Sequence, residues 1–312
     1  MRIAAIFPGQ GSQVVGMGVD VAASSAAAAD LFARAGEVLG YDLLALVRNG
    51  PDDVLRETRY SQPAIYVTNY ALAAASGVLD ACVASAGHSF GEYCSLTIAA
   101  ALSFEEAVEL VRQRALAMQE AAERTPGGMA AILGLDVAAV RAAVEAAREA
   151  GLVQIANFNA PGQIVVSGEA AAVTRAGELA MTAGAKRVVP LNVSGAWHSA
   201  LMEPARERFA PYVERATIEQ PRFTVVSNVD AEPYRDTARI RRNLIRSVTD
   251  EVLWHETAER LLAERLDAVV EFGASPVLAP MMRRLAGVPR VLQAGDAAGL
   301  ARVRDALAGS PA

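Results

Sequence analysis

A serine with glycines two residues before and after it, Gly87-His88-Ser89-Phe90-Gly91, carries the pattern of a sharp strand-to-helix turn that lifts a hydroxyl clear of the backbone. The flanks agree: 81–86 is short and apolar, and 92–101 holds no Pro or Gly and reads as helix. Free N–H groups at that helix start would favour negative charge on a substrate oxygen. The same pattern also describes a plain tight turn, so the chemistry depends on partners. A serine nucleophile needs a base, and the chain has only three histidines. His88 adjoins the serine, where neighbouring side chains diverge, and is expected to be structural. His255, beside Trp254, has no supporting motif. His198 follows a strand end in a loop at a domain junction, and is the candidate general base. No Asp stands out as a third member; an Asn or a backbone carbonyl could orient the imidazole.

Arg114 is the second unusual residue. Its neighbours three and four positions away are Leu110, Val111, Ala117 and Met118, so its guanidinium leaves from an apolar helix stripe. A charge drawn out of water there wants an anion, although a snorkelling or internally paired arginine fits the helix equally well.

These residues need a scaffold, and the composition supplies one. A chain of 312 residues that is 53% hydrophobic can bury a large core in one or two domains, which excludes disorder. A net charge of −6 argues against a nucleic-acid binder. Cys82 and Cys94 lack metal-like spacing and are expected in the core. The first apolar run is cut by Pro8-Gly9-Gln10-Gly11 before it reaches signal-peptide length, and no run is long enough for a membrane span. The expectation is a cytoplasmic enzyme.

Patterning then places the elements. A strand at 3–7 ends in the Gly- and Gln-rich loop 8–13, helices follow over 20–39 and 63–75, and Ser103 with Glu106 forms a capping box that opens a helix to about 123. After the break Thr125-Pro126-Gly127-Gly128 the rhythm changes. Strands at 129–135, 153–157, 163–167 and 187–191, with helices at 137–149 and 170–183, give a βαββαβ order, the ferredoxin-like arrangement. Later strands fall at 223–228, 268–272 and 290–293. Arg235, Arg239, Arg241, Arg242 and Arg246 make a local basic face over 235–246, read either as a solvated helix face or as a dock for an acidic partner.

Five segments occur in order: Phe7 to Gln13, Gly87 to Glu92, Arg114 with Met118-Gln119, Asn157-Phe158-Asn159-Ala160-Pro161-Gly162-Gln163, and Asn192 to Ser199. Together the chain resembles the malonyl-CoA:acyl carrier protein transacylases, both the fatty-acid-synthesis enzymes and the discrete trans-acting acyltransferases of polyketide synthases. The resemblance runs from Phe7 to about Leu285. It implies an α/β fold: an α/β-hydrolase-like catalytic domain with a parallel sheet (1–124 and 197–312) and an inserted ferredoxin-like subdomain (125–196). It also implies Ser89 as nucleophile toward malonyl-CoA, His198 as base, the N–H groups of Gln10 and Phe90 as oxyanion hole, and Arg114 on the malonyl carboxylate. Met118 and Trp197 would line the acyl pocket, and Ser247 would offer its carbonyl to the histidine. The acceptor would be the phosphopantetheine thiol of an acyl carrier protein. The basic face, through Arg239, Arg241 and Arg242, would suit that acidic partner. The family is often monomeric and uses no metal or bound cofactor.

Three residues depart from the family pattern. Phe90 replaces the usual leucine, Trp197 stands where malonyl-selective relatives have phenylalanine and methylmalonyl-selective ones serine, and Ser247 replaces a glutamine. The bulk of Trp197 predicts malonyl over methylmalonyl. Alternatives on the same scaffold are an editing acyl hydrolase and a transferase for another acyl-CoA; Arg114 speaks against both. Segments 56–69 and 226–234 lean slightly toward the polyketide group.

Overall fold

The computed structural model describes residues 1–309. Nine strands form among them: β1 (Ile3–Phe7), β2 (Cys82–Gly87), β3 (Gly128–Leu133), β4 (Val153–Ala160), β5 (Gln163–Gly168), β6 (Arg187–Pro190), β7 (Thr224–Val226), β8 (Ala268–Phe272) and β9 (Arg290–Ala294). They divide into two sheets. One is wholly parallel, in the order β7-β2-β1-β8-β9, and the other wholly antiparallel, in the order β4-β5-β3-β6.

The parallel sheet is buried on both faces, which is why β1 and β8 are fully buried along their length. Ala5 and Phe7 face one apolar cluster with the helices Ala26–Leu39, Thr58–Ala75 and Phe104–Arg124; Ala4 and Ile6 face another with Trp254, Leu261 and Met282. From the central β1 the order runs outward to β2 on one side and β8 on the other. Loops leaving the carboxyl ends of β1 and β2 therefore emerge side by side, with Phe7 in register with Gly87. The antiparallel sheet has its own apolar cluster, including Ile132, Val140, Ile155, Ile164, Val166 and Val173.

Element boundaries differ most from the sequence expectations in two helices. The helix expected over 20–39 is two helices, Val19–Ser24 and Ala26–Leu39, because Ser25 turns extended and caps the second by accepting from Ala28 N–H at 3.3 Å. The helix expected from Pro63 starts five residues earlier and runs Thr58–Ala75, with Pro63 inside it. The Ser103 cap is formed, and its helix runs Phe104–Arg124. Cys82 and Cys94 are free, buried thiols, and burial pushes Cys82 up to about 11. Among the described residues no helix is long and apolar enough to cross a membrane, and no cluster of three His, Cys, Asp or Glu could hold a metal.

Candidate active site

The turn after β2 works only with glycine on either side. A Cβ on Gly87 would stand 1.9 Å from the Gly91 carbonyl carbon, and one on Gly91 would stand 2.3 Å from the Phe7 carbonyl oxygen. The β1 loop packs equally close, since a Cβ on Gly9 would meet the His88 carbonyl oxygen at 2.7 Å. Between these contacts Ser89 is held at φ 53°, a left-handed conformation unusual for a serine. The helix Gly91–Ile98 starts directly behind it.

Glu92 fixes the turn from below. Its buried carboxylate accepts from Asn228 N–H at 2.7 Å, from the Asn228 amide and from the Tyr234 hydroxyl, and Asn228 Nδ2 also donates to the Ser89 carbonyl at 3.3 Å. Burial raises Glu92 to about 7 against the pull of those hydrogen bonds. Sequence reading quoted Glu92 inside its motif but gave it no role.

Ser89 Oγ lies 2.8 Å from His198 Nε2. His198 is itself at φ 57° and is 4% exposed. Burial first, then the Arg114 charge, lower its pKa to about 3, so the imidazole is neutral at physiological pH and free to accept a proton. Its Nδ1 lies 3.1 Å from the carbonyl of Asp250, which orients the ring. The Ser247 carbonyl, expected in this role and three residues earlier, is a second and lesser partner of the ring, and the Ser247 hydroxyl donates to the Leu244 carbonyl at 2.8 Å. The segment curls after the helix Thr237–Arg246, and this brings Asp250 round to Nδ1.

Arg114 is 1% exposed, on the buried stripe of its helix. Nη1 donates to Gln62 Oε1 at 2.7 Å and Nη2 to Ser89 Oγ at 3.1 Å. The guanidinium carbon lies 5.8 Å from the Phe90 ring centre, a cation–π distance, so the ring that replaces leucine helps hold the charge. Among the described residues no carboxylate forms an ion pair with Arg114, Nε has no partner, and desolvation lowers its pKa. The snorkelling reading of this arginine therefore fails, and its internal hydrogen-bond partners, Gln62 and Ser89, leave its charge unbalanced.

These groups open on one cleft of about 490 Å³, mouth included, lined by Gln10, Phe90, Met118, Met129, Leu191 and Trp197 together with Ser89, Arg114 and His198. Trp197 is buried with its Nε1 unpartnered among the described residues. Gln10 is held by Thr58 Oγ1, 2.9 Å from its Oε1, and Gln119 in turn accepts from Thr58 N–H at 3.1 Å. Strand β4 supplies a polar rim: Asn157 lines the cleft, and Asn159 Oδ1 sits 2.9 Å from His88 Nε2. His88 thus ties the turn to the antiparallel sheet, and His255 stands apart on its own helix, 3.6 Å from Glu259.

The basic face is mostly spent within the fold. Arg239 pairs with Asp230 at 2.9 Å, and Arg241 donates to the carbonyls of Val213 and Glu214, at the end of the helix Glu203–Arg215. Of the three arginines expected to dock a carrier protein, Arg242 alone is exposed.

The chain belongs to the acyl transferase domain family, which it matches over residues 5–293. Within that family it belongs with the malonyl CoA-acyl carrier protein transacylases. It is 41% identical over 288 residues to the one from Salmonella typhimurium, covering 91% of this chain and 93% of that protein. Polyketide biosynthesis protein ThaF of Burkholderia thailandensis is 40% identical over 282 residues, which cover 90% of this chain and 24% of ThaF. A malonyl-transacylase solved in complex with a type II PKS acyl-carrier protein superposes with a TM-score of 0.92 at 37% identity, covering 98% of this chain and all of that one. The two identities are nearly equal, and the slight lean of two segments toward the polyketide group is not sharpened by them.

Proposed function

We propose that Ser89, His198 and Arg114 carry out malonyl transfer by a double displacement. The protein is an acyltransferase that moves a malonyl group from malonyl-CoA to an acyl carrier protein. The observation that carries the site assignment is the buried guanidinium of Arg114, without a carboxylate partner among the described residues and 3.1 Å from Ser89 Oγ.

The malonyl carboxylate pairs with Arg114, which places the thioester carbonyl carbon over Ser89. His198 Nε2 takes the hydroxyl proton as Oγ bonds to that carbon. The N–H groups of Gln10 and Phe90 stabilise the oxyanion; both residues line the cleft, and among the described residues neither N–H donates to another group. The C–S bond breaks, and His198 returns the proton to the CoA sulfur. In the second half His198 takes the proton of the carrier's phosphopantetheine thiol, whose sulfur attacks the malonyl-serine ester and releases Ser89, which recovers the proton. No metal or bound cofactor enters these steps.

Met118 and Trp197 bound the acyl group, and Trp197 leaves little room for a C2 branch. Gln62, fully buried, supports two of the lining residues, donating to Met118 Sδ at 3.6 Å while accepting from Arg114. Arg242, on an exposed helix face, is the remaining candidate contact for an acidic carrier. The separate apolar cluster of the antiparallel sheet and its order β4-β5-β3-β6 support a ferredoxin-like insertion at 125–196 in an α/β-hydrolase-like domain of 1–124 and 197–312, of which 310–312 lie outside the described residues. A cytoplasmic monomer is the working form.

The test is intact-protein mass after brief incubation with malonyl-, methylmalonyl- or acetyl-CoA, followed by a phosphopantetheinylated carrier protein. A malonyl adduct on Ser89 that moves to the carrier is the expected result. An adduct lost to water without the carrier would turn the reading to an acyl hydrolase.

A further inference from the structure

Both halves of the histidine's support lean on one strand of the other sheet. The segment that carries the orienting carbonyl, Asp250 to Val252, is paired with β4: Val252 N–H donates to the Ala156 carbonyl at 2.8 Å, and Phe158 N–H to the Val252 carbonyl at 2.9 Å. Two residues before Ala156 on that strand, the Gln154 side chain reaches the segment that carries His198 itself. Its Oε1 accepts from Ala200 N–H at 2.9 Å, and its Nε2 donates to the His198 carbonyl at 3.3 Å, with the Thr249 carbonyl 3.5 Å away. One amide therefore clamps the chain from the carbonyl of His198, a residue held at φ 57°, to the N–H of Ala200, and touches the residue next to Asp250 as well.

We infer that Gln154 is a positioning residue for the transfer reaction: its amide fixes the His198 backbone against the Asp250 carbonyl, so that Nε2 stays aimed at Ser89 Oγ. A left-handed backbone at a non-glycine residue persists only where its surroundings over-determine it. The 196–200 segment has no regular ladder of its own, so its partners on β4 supply that constraint. The register of β4 against β5 shifts between Ile155 and Asn157 and again between Phe158 and Ala160, and Gln154, Asn157 and Asn159 meet three different parts of one site. A ring that swings by a fraction of an ångström loses its line to Oγ, while the malonyl-binding wall of Arg114 and Met118, on the helix Phe104–Arg124 and backed by Gln62, stays in place.

This inference rests on His198 being the base, and the experiment separates the two. Rapid-quench acylation of the full chain by malonyl-CoA is read by intact mass for wild type, Gln154→Met, Gln154→Glu and His198→Ala, with a thermal melt of each. Gln154→Met keeps the length and apolar stem but loses the amide, and the acylation rate is expected to fall roughly 10- to 100-fold with KM for malonyl-CoA within about twofold. Gln154→Glu keeps the acceptor for Ala200 N–H but replaces the donor to the His198 carbonyl with an oxygen that repels it, and is expected to stay as slow as Gln154→Met. Either variant acylating within about twofold of wild type, or losing rate only in step with its melting temperature, would overturn the inference while leaving the base assignment intact. Unimpaired acylation by His198→Ala would instead remove the base assignment.

Discussion

Arg114 Nη2 donates to Ser89 Oγ, the same oxygen that His198 Nε2 approaches at 2.8 Å, so the group proposed to hold the substrate carboxylate also touches the proposed nucleophile. With malonyl bound, the guanidinium gains the anion that the resting site lacks. Arg114→Ala is expected to lose malonyl loading by about 2–5 kcal/mol of transition-state binding, the scale of a buried charge left unpaired, while retaining or gaining acetyl loading. Loading competition between the two CoA thioesters, read by mass, checks this. Equal losses on both would sink the carboxylate role.

Trp197 closes the cleft beside the histidine. Trp197→Ser should admit methylmalonyl-CoA and raise its loading relative to malonyl, because the substitution opens the wall nearest a C2 branch. The ratio of the two adducts at equal CoA concentrations is the readout, and an unchanged ratio would remove Trp197 as the gate.

The pH dependence of loading follows from the environment of His198. Burial and the Arg114 charge hold the ring near 3, so Ser89 acylation is expected to persist as pH falls through the ordinary imidazole range around 6.5 and to fail well below it. In Arg114→Ala the acid limb should move back up toward 6.5. The sign for stability is the same: the folded ring refuses a proton that the unfolded ring accepts, so its contribution is complete above about 6.5 and is lost as pH drops toward 3. A wild-type acid limb at or above 6.5 would contradict this account.

Gly9 separates binding from oxyanion stabilisation. A methyl there meets the His88 carbonyl oxygen at 2.7 Å and must push the β1 loop, with Gln10, away from Ser89. Gly9→Ala should fold and slow acylation roughly tenfold or more, the scale of a small displacement at a reacting centre. Gly87→Ala, whose methyl would sit inside Gly91, should not yield a stable protein. A Gly9→Ala rate equal to wild type would argue against Gln10 as an oxyanion donor.

The parts of this site legible in the sequence are those whose constraint is local. Gly87 and Gly91 announce a turn because no side chain fits there, and Arg114 announces itself because a charge breaks an apolar period. The capping box at Ser103 is of the same kind. Constraints arising across the fold left no such mark. Gln154 lies 44 residues from the His198 carbonyl that it meets, and its alternation on β4 is ordinary for a half-buried strand. Asp250 was not foreseen beside Ser247 as a carbonyl partner of the ring because the path of a loop, unlike a helix, is not set by periodicity. Arg239 and Arg241 read as a free basic face because Asp230 and the carbonyls of Val213 and Glu214 are brought to them only by folding. Ser25 was hidden among alanines that would each have continued a helix.

The two cysteines bear on how transfer can be watched. Both thiols are buried, and burial raises their pKa and so suppresses the thiolate that alkylating reagents attack. A maleimide or iodoacetamide quench would therefore cap the unloaded phosphopantetheine arm of a carrier protein and leave the transferase unmodified. The two halves of the double displacement can then be timed in one tube by stopping the reaction at the sulfur of the acceptor.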